Sequence, residues 1–319
     1  MKILVTGGAG FIGSNVVDGY IAEGHEVIVV DDLSSGKRSN VHPKAKFYQV
    51  DIRSRELAEV MEREKPEIIN HHAAQISVPA SVSDPMLDAD INIRGFLNLL
   101  QGGVKWGTKK VIFISSGGAI YGEADEYPTS EKYLPQPLSP YAVSKYASEH
   151  YLAYYHHQYG LEYTVLRYAN IYGPRQIPHG EAGVVAIFMD NLLKERPSTL
   201  YHFPEEKDGM VRDYTFVGDV VEANKLALSR GNLDSFNIGT NRETRTLALY
   251  KIIFQVFQKL SGKSLDSLSM PVRALARPGD LTKSCLVAEK ARNILGWEPA
   301  IALEEGIRKT WEWRMQEPS

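Results

Sequence analysis

Cysteine is almost absent from this chain. Among 319 residues there is one, Cys285, which excludes an intrachain disulfide and a cysteine-based metal cluster. Positive charge is not in surplus either. Lys and Arg number 36 against 39 Asp and Glu, a net charge of −3, and no Lys/Arg run stands out. A general nucleic-acid binder needs a basic field, so that class falls away. No apolar run reaches the ~18 residues of a membrane span. The N-terminus opens straight into Ile3-Leu4-Val5, without the longer apolar core and small-residue cleavage site of a secretory leader. Repeats and low-complexity tracts are missing. These absences describe a cytoplasmic protein of a reducing compartment, with no nucleic-acid or membrane partner.

What remains is globular stock. Hydrophobic residues make up 43 %, enough to bury a core. A prior of about 150 residues per domain suggests two domains or one large one. The first half alternates short apolar runs with amphipathic stretches. Runs at 2–6, 26–30, 47–50, 67–70, 111–115 and 163–167 read as strands, apolar at nearly every position, as strands buried on both faces are. Helical patterns fall near 12–23, 54–64, 85–105 and 141–159, and Asp84-Pro85 is a helix start. Alternating strand and helix predicts an α/β fold with a doubly wound parallel sheet. After about residue 170 the pattern changes. Residues 171–179 read as loop, 182–195 as helix, 196–212 as irregular and 217–229 as helix. Residues 236–239 read as a strand end, with further helices at 245–261, 286–295 and 303–314.

Thr6-Gly7-Gly8-Ala9-Gly10-Phe11-Ile12-Gly13 follows the first strand and opens the first helix. It fits G-x-x-G-x-x-G, a form of the dinucleotide fingerprint. Glycines let the backbone turn tightly beneath a pyrophosphate, and the helix N-terminus supplies free N–H groups. Asp31 ends the second strand, where a carboxylate accepts from the adenosine ribose. Its charge repels a 2′-phosphate, so NAD is expected rather than NADP, although Lys37 and Arg38 lie nearby.

Tyr141 and Lys145 form Y-x-x-x-K at the start of a helical stretch. Four residues make about one turn, so both side chains lie on one face. A lysine cation beside a phenol favours the phenolate, which a base working near neutral pH requires. His71 and His72 are adjacent on a strand and point to opposite faces, so no metal site is expected from them.

These pieces occur in one order along the chain: TGGAGFIG, DDLSSG, HHAAQ, ISSGGAIYG, SPYAVSK, LRYANIYGPRQ, VRDYTFVGDV, FNIGT and ARPGD. Together they resemble the extended short-chain dehydrogenases/reductases, in the sugar-nucleotide epimerase/dehydratase group, and most of all the UDP-glucose 4-epimerases. The resemblance implies a Rossmann sheet with a smaller, mixed α/β C-terminal substrate domain. Residues 1–169 and about 214–240 would bind NAD, and about 170–213 with 241–319 would bind the sugar nucleotide. Gly7, Gly10, Phe11, Ile12 and Gly13 would cradle the cofactor, with Asp31, Asp32 and Ser115 beside it. Asp51 and Ile52 would flank the adenine. Ala73, Ala74 and Gln75 would line the channel, and Asn92 would support it from the next helix. Tyr141 would be the base and Lys145 would hold the nicotinamide ribose. Asn170, Arg212 and Arg277 would hold the diphosphate, and Asp280 the uridine ribose. A homodimer through a helix bundle is also implied.

The chain departs from that pattern at one place. The family's usual hydroxyl, four residues before the tyrosine at 121, is replaced by Gly117, so the role passes to Ser116. Gly118 and Ala119 stand where sister dehydratases carry Asp-Glu, which disfavours 4,6-dehydration. Ser284, seven residues after Arg277, is small where related epimerases restricted to hexoses carry tyrosine. The implied reaction is therefore NAD-dependent 4-epimerisation of a UDP-hexose, UDP-glucose or UDP-galactose and their N-acetyl counterparts, through a transient 4-keto sugar. Two rivals stay open: an epimerase of another nucleotide sugar, UDP-glucuronate or a dTDP- or CDP-sugar, and a non-catalytic NAD-binding scaffold.

Overall fold

The computed structural model describes residues 1–178, 183–277 and 280–316. The short apolar runs become strands β1 (Lys2–Thr6), β2 (Glu26–Asp31), β3 (Lys46–Gln49), β4 (Ile68–His71), β5 (Lys110–Ser116) and β6 (Glu162–Tyr168), joined later by β7 (Asp234–Ile238). They pair in parallel in the order β7-β6-β5-β4-β1-β2-β3. Side chains alternate between faces along each strand. Ile3 and Val5 therefore enter one core with α1 (Phe11–Ala22), while Leu4 enters another with α2 (Glu56–Glu64), α3 (Phe96–Trp106) and α4 (Pro140–Tyr159). The strand order reverses between β1 and β4. That reversal opens a crevice at the carboxyl ends of the strands, where open α/β sheets bind ligands.

The chain then leaves the sheet and returns. Helix α5 (Val184–Leu193) belongs to the smaller unit, whereas α6 (Val217–Ala227) packs back on α1. Asn70 Nδ2 donates to Tyr20 Oη at 2.6 Å and to Asn224 Oδ1 at 2.8 Å, tying β4, α1 and α6 together. β7 follows and completes the sheet. The smaller unit packs α5, α7 (Thr246–Ser261) and α8 (Leu303–Gln316) around Phe188, Tyr250 and Trp311. Trp311 Nε1 donates to the Ile253 carbonyl, and Trp297 Nε1 to that of Asp219, so both indoles are buried with their N–H groups satisfied.

Several expectations need correction. The helical pattern at 85–105 is not one regular helix. Asp84 caps Pro85–Ala89, accepting from Leu87 N at 2.9 Å, and a wider π turn at Asp90–Gly95 precedes α3. That turn carries Asn92 inward, to 3 % exposure; such turns recur at functional sites. The loop expected at 171–179 begins as a strand, Asn170–Tyr172, paired with Tyr214–Phe216. The irregular stretch at 196–212 contains strands Thr199–His202 and Val211–Arg212. The helix expected at 286–295 shrinks to its end: Ala291–Leu295 is a π turn, and Leu286 instead bridges Thr129. Residues 179 and 182, the edges of an expected loop and helix, lie outside the described residues.

Candidate active site

A cavity of about 560 Å³ fills the crevice. Two glycines show why the backbone beneath it admits no side chain. Gly7 has φ +68°, and a methyl group there would sit 2.6 Å from Ala73 N. A methyl on Gly13 would sit 2.2 Å from the Gly7 carbonyl oxygen. Gly10 begins α1 without any side-chain cap, so the first-turn amides remain available to an anion. Phe11 and Ile12 line the same wall.

Asp31 reaches the cavity from the end of β2. Its carboxylate accepts from Ala9 N and Leu33 N, both at 2.9 Å, and burial raises its pKa. Two oxygens offer about four acceptor sites, so two backbone donors leave capacity for ribose hydroxyls. Asp32 also lines the cavity, at its exposed rim, and accepts from Ser34 N and Oγ, shaping the loop. Neither Lys37 nor Arg38 lines the cavity; the Arg38 guanidinium lies over the Phe47 ring, 4.4 Å from its centroid. Asp31 thus meets the ribose end of the cavity with a carboxylate, and neither of the two nearby cations, Lys37 and Arg38, joins it there.

Asp51 and Ile52 line the far end. Arg53 donates to the Asp51 carboxylate from Nε and Nη2 and holds its pKa below the usual range. Ala73, Ala74 and Gln75 form one side of the channel. Asn92 stands one layer behind. Its Oδ1 accepts from Gln75 N at 2.9 Å, and its Nδ2 donates to the Gln75 carbonyl at 3.0 Å. It therefore shapes the channel without lining it.

Tyr141 and Lys145 face the cavity from the first turns of α4, where Ser139 accepts from Ala142 N as N-cap. Burial pushes the Tyr141 phenol up to about 12, and a hydrogen bond with Ser116 opposes that rise. Burial pushes Lys145 down to about 8, with Asp88 and Glu149 opposing. Desolvation of the phenol dominates at Tyr141, so its pKa stands above the ordinary value although Lys145 lies on the same helix face. Ser116 stands beside the phenol, whereas position 117 points elsewhere: a methyl on Gly117 would meet Leu286 and the Arg167 carbonyl oxygen.

Asn170 lines the cavity, but Arg212, Arg277, Asp280 and Ser284 lie beyond its wall. Asn170 N donates to the Asp213 carbonyl, and Arg212 pairs in register with Ser284. Among the described residues the Arg212 guanidinium donates to the carbonyls of Val211 and Leu281, both at 2.8 Å, and to Met210 Sδ. It is a largely buried cation with no carboxylate on it. Arg277 differs: it forms a two-pronged pair with Asp280, Nε to Oδ2 and Nη2 to Oδ1, both at 3.1 Å. Asp280, expected on a ribose, accepts here from its neighbour Arg277.

Three further residues escaped the sequence reading. Asp88 is 1 % exposed and accepts from Gln75 Nε2 at 2.8 Å and Asn92 Nδ2 at 3.1 Å. Its position four residues before Asn92 on a helical pattern was the available signal. Gln176 lines the cavity with Nε2 donated to the Ile171 carbonyl and a buried Oε1 that has no partner among the described residues. Asp213 accepts from Thr240 N and Oγ1 and from Leu286 N, binding three segments behind the arginine. Three more cavity-lining residues carry buried polar atoms with no partner among the described residues: Ser115 Oγ, Asn170 Nδ2 and His72 Nε2. Buried polar atoms are ordinarily satisfied, so this set fits a polar ligand such as a dinucleotide with a sugar nucleotide.

A glycine-floored crevice at the sheet's carboxyl end, lined by Asp31, Tyr141 and Lys145, is that of an enzyme of nicotinamide redox chemistry. The chain belongs to the NAD dependent epimerase/dehydratase family, whose sequence model matches residues 3–239. It is 44 % identical over 318 residues to the UDP-glucose 4-epimerase of Mycolicibacterium smegmatis, covering 98 % of each chain. Among solved structures, it resembles the UDP-glucose 4-epimerase of Thermotoga maritima with UDP-glucose, at TM-score 0.91, 48 % identity and 99 % coverage of each chain. The Thermus thermophilus UDP-glucose 4-epimerase complex with NAD gives TM-score 0.90 at 45 % identity, again covering 99 % of each.

Proposed function

We infer that the protein interconverts UDP-glucose and UDP-galactose by NAD-dependent 4-epimerisation, and that it also takes their N-acetylhexosamine counterparts. The carrying observation is the Tyr141 phenol, beside the Ser116 hydroxyl, on the floor of the cavity that the glycine loop and Asp31 also line. The glycine loop, the first turn of α1, Asp31 and the Ala73–Gln75 wall would hold the dinucleotide.

When bound, NAD supplies reversible hydride acceptance at C4 of the sugar. The chain supplies the proton chemistry and the anchoring. Tyr141 Oη takes the proton of the 4-hydroxyl, directly or through Ser116 Oγ, and later gives it back. A phenol held near 12 is a poor base at neutral pH, so this role needs positive charge beside it when the site is loaded. Lys145 stands on the same face of α4 to contribute part of that charge. Arg212 and Arg277 take the diphosphate in charge-assisted bonds, with Asn170 beside them. Held only by its diphosphate, the sugar can turn and present its other face. Ser284 is small and leaves space for an acetamido group.

Residues 1–169 with about 214–240 serve the cofactor in this reading, and about 170–213 with 241–319 serve the sugar nucleotide. Two copies would pair through α3 and α4, a reading supported by Val143, Tyr154 and Tyr159 standing about half exposed on α4. No helix among the described residues is long and apolar enough to cross a membrane, and a cytoplasmic location is part of this reading. The test is incubation of the purified protein with UDP-galactose and a panel of other nucleotide sugars, without added NAD. Chromatographic conversion of UDP-galactose to UDP-glucose is expected; none, even with NAD supplied, overturns the reading.

A further inference from the structure

Tyr141, Lys145 and Glu149 follow one another at four-residue spacing on α4 and so share a face. The first two line the cavity and the third does not. Glu149 instead takes a two-pronged ion pair from Arg167 of β6, Nε to Oε1 at 3.1 Å and Nη2 to Oε2 at 2.6 Å. The Arg167 and Glu149 side chains are only 7 % and 9 % exposed. A buried ion pair is weak evidence for stability, because apolar residues of similar volume often serve as well. Its place, one turn beyond Lys145, calls for another reason.

Arg167 has a third arm. Its Nη1 donates to Tyr121 Oη at 2.8 Å, and Tyr121 Oη donates to Asn237 Oδ1 of β7 at 2.9 Å. The direction of that second bond is fixed. Asn237 Nδ2 spends its hydrogens on the carbonyls of Thr129 and Val287, which leaves the oxygen, an acceptor, for the phenol. Tyr121 closes the helical turn Gly117–Ile120, and Ser116 opens it. The Ser116 hydroxyl caps no amide of that turn and meets the Tyr141 phenol instead. One arginine of β6 therefore grips α4 with two nitrogens and the far end of the Ser116 turn with another. Tyr121, Glu149 and Arg167 all stand outside the cavity lining.

We propose that Glu149, Arg167 and Tyr121 are positioning residues for the proton transfer, a clamp that holds the turn carrying Ser116 in register with the helix carrying Tyr141. The proposal rests on the 4-epimerase reading above, in which Ser116 and Tyr141 handle the proton of the 4-hydroxyl. It adds the group that keeps those two hydroxyls together while the sugar turns.

The experiment measures kcat, KM and the pH–kcat profile with UDP-galactose in the unaltered protein, Tyr121→Phe, Ser116→Ala and the double variant, with thermal unfolding of each. Tyr121→Phe removes one hydroxyl and no charge, since burial pushes that phenol up to about 12. It is expected to lose about tenfold or more in kcat, as a displaced reacting partner does, with KM little changed. The profile should move toward higher pH. The Ser116 hydrogen bond that lowers the Tyr141 pKa is loosened, while Asp88, which raises it, stays in place. In the Ser116→Ala background the same substitution should cost little more in kcat, because the group being positioned is gone. A merely structural network would lower the unfolding midpoint and leave the profile where it was. Independent losses in the double variant, or an unshifted profile, overturn the proposal. Arg167→Lys keeps the charge and loses the fork; it should act as Tyr121→Phe does, and serves if that variant does not fold. An unaltered protein that converts UDP-galactose, with variants that keep full kcat, overturns the clamp and leaves the epimerase reading standing. An unaltered protein that does not convert it overturns both.

Discussion

The Lys145 ammonium donates to the Ile114 carbonyl at 3.0 Å, while the Tyr141 ring centroid lies 6.0 Å from the same nitrogen. The lysine is thus anchored to the end of β5 and reaches the phenol only through space. Burial is the largest influence on the Tyr141 pKa, ahead of Ser116 and Asp88.

The first prediction follows from that balance. An ordinary phenol is half ionised near pH 10, whereas Tyr141 is pushed up to about 12. The ultraviolet difference between the cofactor-free protein and its Tyr141→Phe variant should show no phenolate from this residue at pH 10. Loading with oxidised NAD, whose ring is cationic, should bring the signal to lower pH. The variant itself should lose about 10²–10⁴ in kcat, the range for a general base, while still binding NAD. A phenolate signal at pH 10 without cofactor contradicts the burial argument.

Ser116 carries the hydroxyl that the chain lacks at position 117. Ser116→Ala should reduce kcat by the worth of one charge-assisted hydrogen bond, about 1.5–3 kcal/mol or roughly 10- to 150-fold. KM for UDP-galactose should change little. Steady-state kinetics decide the matter, and a variant with unaltered kcat places the proton path elsewhere.

Asp88 gathers Gln75 and Asn92, and Asn92 Nδ2 also reaches Ser144 Oγ at 3.3 Å, next to Lys145. Asp88→Leu removes the one oxygen, Oδ1, that both amide donors share, so both lose that partner. The expected cost is about 1–3 kcal/mol of stability, read from urea unfolding. The carboxylate also raises the pKa of both Tyr141 and Lys145. Its removal should therefore move the pH–kcat profile toward lower pH, a change that a purely structural role would not produce.

Acid should weaken the fold through β4 and its end. Burial holds His72 down to about 3 and His71 well below its ordinary value, whereas both titrate near 6.5 when unfolded. Below about pH 6.5 the unfolded chain binds the extra protons, so this contribution is complete above that pH and is lost as pH falls. Buried Asp31 and Asp213 have raised pKa values and act in the opposite direction. The comparison that isolates the histidine is the drop in urea midpoint between pH 7 and pH 5 in the unaltered protein and in His72→Gln. A smaller drop is expected in the variant; equal drops exclude His72 as a contributor.

Much of the cofactor half was legible because its signals are local. A strand buried on both faces must be apolar along its length, and β1, β2 and β5 read that way. The substrate half was less legible. Val211–Arg212, Thr244–Arg245 and Lys283–Ser284 form one small sheet, but two residues have no periodicity to read. The break in the helix before α3 was equally hidden, since the π turn serves Asn92, whose partners Gln75 and Ser144 lie elsewhere in the chain.

The linear order of residues was sufficient for whatever depends on near neighbours. It placed the glycine turn under the crevice, Asp31 at a strand end, the helix start at Asp84-Pro85, and Tyr141 with Lys145 on one face. Three-dimensional packing decided which groups meet. It set Ser116 beside the Tyr141 phenol, gave Lys145 the Ile114 carbonyl, paired Arg277 with Asp280 and, among the described residues, left Arg212 without a carboxylate. The physical reason is range. Turn and helix geometry are set by residues about four apart, whereas a partner at 3 Å is chosen when segments distant in the chain are pressed together by the burial of their apolar faces.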